Sequence, residues 1–566
     1  MKIEFSFRPR LLDALKGYTP LDFSKDLAAG LTVGIVALSL AMALGIASNS
    51  TPAAGIYTAI VAGFLISALG GSRVQIGGPT AAFIPVVVKV GADYGFDNLI
   101  LCTMIAGIML IAMGAARLGA LIKFIPFPVT AGFTAGIAVV IFSTQVKDFF
   151  GLTLDKNSGE FIERLQLLAT ALPTMHWPSI ALAAGTFALI RLWPARIGRW
   201  VPASIAAVIL GTLAVALLPV DIATIGSRFG ADAIPASLPT PHWPAFDLHT
   251  LGNLLRPAFT IALLAAIESL LSAVVADGMI DDRHDSNQEL MAQGIANVGS
   301  ALFGGLPATG AIARTATNVR SGARTPVAGM IHALTLLGVI LAAAPLARFI
   351  PLPTLSAVLV NVALNMGEWH NFKRLRRWPK SDMAVFLVTF ALTVIFDITI
   401  AVEVGLGIAA FLFIRRVTEN TQIASASQGS FDEGPLGAAD AAVAKNLPKG
   451  VMLYNVFGSL LFGATDKLET ALQLGQQEPD VLILGMRQVL AMDATGLEAL
   501  ETLGRRLRSR GKHLLLCGPH SQPLFAMHRH GFIEWIGEEN VCADMESSAQ
   551  RAQRLLNLLP DRPPTT

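Results

Sequence analysis

Two polar, glycine-broken stretches interrupt a chain that is otherwise strongly apolar. They are residues 70–88, GGSRVQIGGPTAAFIPVVV, and residues 304–324, GGLPATGAIARTATNVRSGAR. Each places Gly-Gly and a proline ahead of a short helical run. A helix beginning near Thr80 and another near Ala311 would present unpaired backbone N–H groups and the positive end of the helix dipole. Two such ends facing each other at membrane depth make an anion cradle that needs few charged side chains. Thr80 and Thr309 are candidate hydroxyl donors, and Gly77, Gly78 and Gly310 leave room for a ligand close to the backbone. Arg314, one turn into the second helix, carries a permanent positive charge. It serves either to attract an anion or to pair with an acid.

The acid is Glu268, in FTIALLAAIESLLSAVVAD. An intramembrane carboxylate is costly and marks function by default. Taking up and releasing a proton, or charge pairing with Arg314, both fit. Glu403 lies nearer an interface, where a solvated or paired structural role is expected. Asp277, Asp281, Asp282 and Asp285 cluster in a connecting loop and are expected to be mostly solvated. Arg320 and Arg324 are expected to mark the far membrane edge. No nucleophile–base grouping and no Walker motif is present, which argues against an enzyme and an ATP-driven pump. Cys102, Cys517 and Cys542 lack paired or metal-like spacing, and no cofactor is implied. His513, His520, His528 and His530 are expected at the surface, and no basic run is long enough for a nucleic-acid interface.

The elements that must position these residues are membrane helices. The 566 residues are 53% hydrophobic and 14% charged, against about 25% charged in soluble domains. A spanning helix needs about 20 apolar residues. Clear candidates are 27–47, 56–69, 99–116, 129–146, 180–192, 203–218, 259–276, 327–344 and 383–398. Shorter or interrupted runs lie at 80–88, 290–302, 311–319, 352–364 and 400–414, giving about fourteen segments. Arg191, Arg196 and Arg199 share one connection, Lys373 to Lys380 form another basic cluster, and Arg415 and Arg416 follow the last helix. With both termini inside, an even helix count puts all three clusters on the cytoplasmic face. The connections 151–177 and 219–249 then face outward. SALGG at 67–71 is echoed by SALFGG at 300–305, and the echo falls at matching places in two halves. Such a pattern points to a transporter repeat, inverted if each half holds about seven helices.

The predicted organisation is a cytoplasmic lead-in 1–22, a membrane domain 23–418 with repeats at about 23–225 and 250–418, a linker 419–449, an α/β domain 450–560 and a tail 561–566. In the α/β domain, strand-like runs 451–456, 481–484 and 513–517 alternate with helical patterns 465–474, 494–508, 522–530 and 546–558.

PAAGIY at 52–57, with GGSR at 70–73 and GGPTA at 77–81, resembles the signature of the sulfate permease family of anion transporters. Glu268-Ser269, NQEL at 287–290, Gln293-Gly294 and Asn297 resemble its second half. VLILGMRQVLAMDATGLEAL at 481–500 resembles its STAS domain. Residues 266–279, 308–323 and 394–405 resemble a bacterial branch that carries C4-dicarboxylates. The resemblance implies a 7+7 inverted repeat of about fourteen helices with core and gate domains, a cytoplasmic STAS domain, an elevator-like movement and a homodimer. It also implies a substrate site between the third and tenth helices. Thr80, Ala81, Ala82 and Phe83 would line one wall, and Ala311, Ile312, Ala313 and Arg314 the other. Glu268 falls at a position linked with ion coupling. Ala313 stands where relatives carry serine, so no hydroxyl is offered there. Asp493 is followed by Ala494, with Thr495 one place late, so phosphorylation at that point is not expected. Acyl carrier protein is a partner that the resemblance implies for the STAS domain.

The expected function is proton-coupled uptake, with sodium the other candidate ion, of a small anion across the bacterial inner membrane. The leading substrate is a C4-dicarboxylate such as succinate, fumarate or aspartate. Sulfate or bicarbonate transport, including exchange, is the alternative. From a different class comes a non-transporting membrane sensor or motor, and a third reading is a passive anion channel.

Overall fold

A computed structural model describes residues 7–120, 126–154, 160–198, 201–217, 220–230, 232–237, 240–241, 243, 248–396, 398–420, 422–425, 443, 446–461 and 479–557. The chain divides into two compact units, 1–409 and 410–566.

Fourteen main helices build the membrane unit among the described residues, the last running on past its end. In the first half they are α1 (Pro20–Ala47), α2 (Pro52–Leu69), α3 (Ile84–Tyr94), α4 (Phe96–Ala115), α5 (Phe127–Phe150), α6 (Trp177–Leu192) and α7 (Ala203–Leu217). The second half holds α8 (Leu248–Ile280), α9 (Ser286–Leu302), α10 (Ile312–Arg320), α11 (Val327–Ala347), α12 (Leu352–Met366), α13 (Lys380–Ile395) and α14 (Ile398–Asn420). Six of them, α1, α2, α4, α5, α8 and α11, are long and apolar enough to cross a membrane unaided. The short α3 and α10 occupy corresponding places in the two halves. Both are short because a glycine-rich extended segment takes the preceding residues.

Packing sorts the helices into two groups. α1–α4 pack with α8–α11: α9 against α4 and α2, α11 against α1 and α2, α8 against α4 and α10. The other group joins α13 and α12 to α5, and α12 and α7 to α6. Within it Gly405 of α14 lies against Thr389 and Val129. These are the core and gate groups of an inverted repeat.

Helix starts follow local chemistry. Thr19 caps α1 and exchanges hydrogen bonds with Asp22, and Thr51 accepts from the Ala54 amide ahead of α2. Each cap satisfies an N–H that a helix start leaves without a partner. The long connections 151–177 and 219–249 contain helices Phe161–Ala171 and Ile225–Phe229. In the first, Arg164, Leu168 and Ala171 are buried at helical spacing, so one face docks on the protein. That face mixes an arginine with apolar residues, which hid it from a search for apolar runs.

The second unit holds a five-stranded sheet in the order β3 (Gln422–Ser425), β4 (Val451–Leu460), β5 (Val481–Met492), β6 (His513–Cys517) and β7 (Val541–Cys542). β3 is antiparallel to β4 and the other neighbours are parallel. Along β5, Val481 and Ile483 pack in one apolar layer, and Leu482 and Leu484 in another. That alternation covers both faces of the sheet. Helices Ala494–Ser509, Ser521–Arg529 and Met545–Asn557 fall where the sequence pattern expects them, while 465–474 lies outside the described residues. β3 occupies part of the stretch expected to be linker. It was too short and polar to read as a strand. Asp493 caps the helix that follows, its Oδ1 accepting from the Gly496 amide at 2.8 Å.

Candidate anion site

The two broken segments meet. β1 (Gly77–Gly78) pairs antiparallel with β2 (Thr309–Gly310), Gly77 opposite Gly310 and Gly78 opposite Thr309. The ladder extends by one bond at 2.8 Å, from the Ala311 amide to the Ile76 carbonyl. The Ile76 amide donates to Thr315 Oγ1 at 3.0 Å. Beyond β1 the chain passes Thr80, makes one 3-10 turn over Ala81–Phe83 and enters α3. Pro85 sits in the first turn of α3, where its missing N–H removes no helical bond. Beyond β2 the chain enters α10 directly, with Ala311 at the cap. The first amides of both short helices have no acceptor in their own helix; α10 begins at the ladder, and α3 begins one 3-10 turn beyond it.

One face of α8 supports the crossing. The Ala265 carbonyl accepts from Thr309 Oγ1 at 2.8 Å, and Glu268 Oε2 accepts from Thr80 Oγ1 at 2.9 Å. The Ser269 carbonyl accepts from Gln75 Nε2 at 3.0 Å, and Ser272 Oγ donates to Thr315 Oγ1 at 3.1 Å. Positions 265, 268, 269 and 272 lie on one helical stripe. α9 and α2 hold the approaches. Asn297 accepts from the Ala308 amide and donates to its carbonyl, both at 2.9 Å. Thr58 Oγ1 accepts from the Leu306 amide at 2.6 Å. Glu289 accepts from the amides of Gly71 and Ser72 at 2.9 and 3.2 Å. Asn297→Ala would leave both backbone groups of Ala308 buried and unpaired, at about 1–3 kcal/mol each. The expected result is a thermal midpoint in detergent lowered by several degrees with binding weakened alongside; an unchanged midpoint would contradict the clamp.

Several expected roles change. Thr309 is fully buried and its hydroxyl bonds to α8, so in this geometry it is no donor to a ligand. Thr80, half-buried, gives its hydroxyl to Glu268. The room at the glycines is taken by the protein itself. A Cβ on Gly77 would meet Ile66, one on Gly78 would lie 2.7 Å from Arg314 Nη1, and one on Gly310 would meet Gln75. Gly78 also has φ +145, a conformation that disfavours any side chain. Arg314, 6% exposed, donates from Nη2 to the Pro79 carbonyl. Its charge stands behind the two helix starts rather than in the open, and no ion pair joins it to Glu268 among the described residues. Ala81, Ala82, Phe83 and Ala311 are buried. The accessible side is formed by Thr80, Glu268, Ile312 (41% exposed) and Ala313.

Of the four aspartates expected to be mostly solvated, Asp277, Asp282 and Asp285 are engaged. Asp277 receives His284 Nδ1 at 2.7 Å, Asp282 pairs with Arg10 at 2.8 Å, and Asp285 caps α9 by accepting from the amides of Asn287 and Gln288. A loop short enough to join α8 to α9 directly keeps its charges within reach of both helix ends. Glu403 pairs with Arg256, at 3.1 and 2.6 Å. Three residues gave no sequence signal. Asp26, at the edge of an apolar run, accepts from the amides of Arg324 and Thr325 at 2.7 and 3.1 Å. Thr315 has an undistinguished neighbourhood in sequence. His332 sits inside the apolar run 327–344 and is fully buried, its ring facing Gly63 of α2.

A helical core-and-gate membrane fold with two facing half-helices and a C-terminal α/β domain defines a class of polytopic anion transporter. The Sulfate permease family model matches residues 23–389 and the STAS domain model matches 442–548; the chain belongs to the sulfate permease family. YvdB of Bacillus subtilis (strain 168), a protein provisionally named a sulfate transporter, is 40% identical over 94% of this chain and 98% of its own length. The bicarbonate transporter BicA of a Synechocystis strain is 31% identical over 93% of each chain. The inward-facing structure of murine Solute Carrier 26 family member A9, an anion transporter, superposes with a TM-score of 0.85 over 96% of this chain and 94% of its own, at 18% identity, which speaks for the fold. The chain is a multi-pass membrane protein and an anion transporter, not an enzyme.

Proposed function

We propose that this transporter is a secondary active carrier of a small oxyanion. The anion is held by the helix starts of α3 and α10, with Arg314 supplying charge behind them and Glu268 carrying the coupling proton. The observation that supports this most directly is the β1–β2 ladder, which binds both half-sites into one piece. A site built that way travels with the core group as a unit, which suits an elevator movement past α5–α7 and α12–α14. A homodimer, cytoplasmic termini and an acyl carrier protein partner at the STAS domain belong to the same reading and rest on the family resemblance.

Sulfate and bicarbonate lead as substrates, because the names of relatives similar along nearly the whole chain refer to them. C4-dicarboxylate transport is a second reading, carried by the passages at 266–279, 308–323 and 394–405. A cradle of backbone amides fixes the sign of its ligand before its shape, so all three are compatible with it. Uptake of labelled sulfate, bicarbonate and succinate by purified protein in liposomes separates them. Saturable accumulation of one, accelerated by an inward proton gradient, is the expected result. Acceleration by sodium alone would move the coupling ion. Binding without accumulation of any of the three would favour a sensor or motor.

A further inference from the structure

α10 has two unlike faces. Thr315 and Asn318 are fully buried beside Arg314 and fasten the helix to the first broken segment, Thr315 at the Ile76 amide and Asn318 by donating to the Val74 carbonyl at 2.9 Å. The other face carries Ala313, Ala316, Thr317 and Arg320, which are half-buried or exposed. Steps of three and four residues set these four on one stripe. The stripe starts at the accessible side of the cradle and reaches Arg320 about 10 Å further on. α8 runs alongside in the same direction: Ser272 meets Thr315, and Ile280 packs in the same small cluster as Val319. Its accessible residues continue from Glu268 through Leu271, Val275 and Met279. The two helices therefore make one wall from the cradle to the end of α10.

Arg320 is the only full charge on the α10 stripe. It is exposed, and no ion pair, side-chain hydrogen bond or ring contact holds its guanidinium among the described residues. The acids of the loop where α8 ends are mostly engaged with other groups: Asp277 with His284, Asp282 with Arg10, and Asp285 with the first amides of α9. Asp281 is exposed and makes no ion pair with Arg320 among the described residues. A basic residue in a last helical turn complements the helix dipole whichever way it points. The face it occupies is what sets Arg320 apart. Two turns of Ala and Thr separate it from the cradle, and a stripe of that composition ending in a full charge suits water better than lipid.

We propose that Arg320 is the capture residue of the anion path, the first full charge met by a small anion that moves along the α8–α10 wall toward the cradle. This rests on the reading of the cradle as the transport site, where Arg314 supplies charge from behind. A charge that acts on encounter changes association and leaves the later movement alone, so it bears on KM and not on kcat. The attraction doubles for a dianion such as sulfate. It fades with salt, because an exposed charge is screened over about 8–10 Å.

The first measurement needs no transport. Thr317, one turn before Arg320 on the stripe, is replaced by cysteine in the full chain in lipid nanodiscs, with Ala316→Cys as a second reporter. The native Cys102, Cys517 and Cys542 are buried and give the background. Anionic and cationic methanethiosulfonates should both react, the anionic one favoured relative to its rate on a free thiol. Arg320→Gln should slow the anionic reagent and speed the cationic one, each by about threefold and their ratio by about tenfold. Arg320→Lys should keep the ratio, and sodium chloride at about 1 M should erase most of the difference. The second measurement uses oriented vesicles and the anion, among sulfate, bicarbonate and succinate, that the parent carries. Arg320→Gln should raise KM by about three- to tenfold at the face where α10 ends, with kcat and the KM at the other face unchanged. Failure of both cysteines to react, a reagent ratio indifferent to Arg320, or a KM altered equally at both faces or not at all overturns the proposal. A ratio that depends on Arg320 in a protein that carries none of the three anions refutes the carrier reading and leaves the charged approach to the cradle standing.

Discussion

Replacing Arg314 by alanine is expected to leave a folded protein whose uptake falls to the level of empty liposomes. The guanidinium is the one permanent charge at the crossing, and it donates to the Pro79 carbonyl just ahead of the helix start at Ala81. A hydrogen bond to a charged group contributes about 1.5–3 kcal/mol to the structure that holds it, so its loss loosens the start of the first broken helix. Loss of the positive charge behind the cradle adds to it. Arg314→Lys keeps the charge but not the planar fork, so intermediate uptake is expected. A thermal midpoint within a few degrees of the parent shows that the variant is folded. Uptake unchanged in Arg314→Ala would remove the cradle as the transport site.

Glu268→Gln should abolish acceleration by an inward proton gradient while sparing binding. The amide oxygen of glutamine can still accept from Thr80 Oγ1, so the local hydrogen bond at 2.9 Å survives and only proton exchange is lost. Uptake down the substrate's own gradient should continue, and should no longer respond to external pH. Should the proton gradient still accelerate this variant, the coupling group lies elsewhere. Glu268 stands on the accessible side of the site with Thr80 and Ala313, whereas Arg314 is buried behind it. The two charged groups therefore have separable tasks, and the two variants should fail in different ways.

How much of this was legible in the sequence depended on the physical signal. Apolar runs marked nearly all the membrane helices, because exclusion of charge from lipid leaves a coarse trace. The short α3 and α10 were legible through what broke them, the Gly-Gly and Pro residues at corresponding places. Their antiparallel pairing was not, since a two-residue ladder has no periodicity to detect. The residues that fasten the crossing were legible unevenly. Glu289 and Asn297 sat in a motif similar to the family's, whereas Thr58, Thr315 and Asp26 act through hydrogen bonds to backbone far away in the sequence. The purpose of the glycines was misread for a related reason. Composition signals that room is needed, not whether a ligand or a side chain such as Arg314 fills it.

The β1–β2 ladder also constrains how the molecule can be made. Gly77 and Gly78 are synthesised long before Thr309 and Gly310, yet their ladder partners lie wholly in the later half. At membrane depth an unpaired backbone group costs several kcal/mol. A chain halted after α7 has its first broken segment without the strand, the α8 stripe and the Glu289 carboxylate that satisfy it. The first half is thus an unfinished product in lipid, kept provisional until translation delivers the strand that completes it.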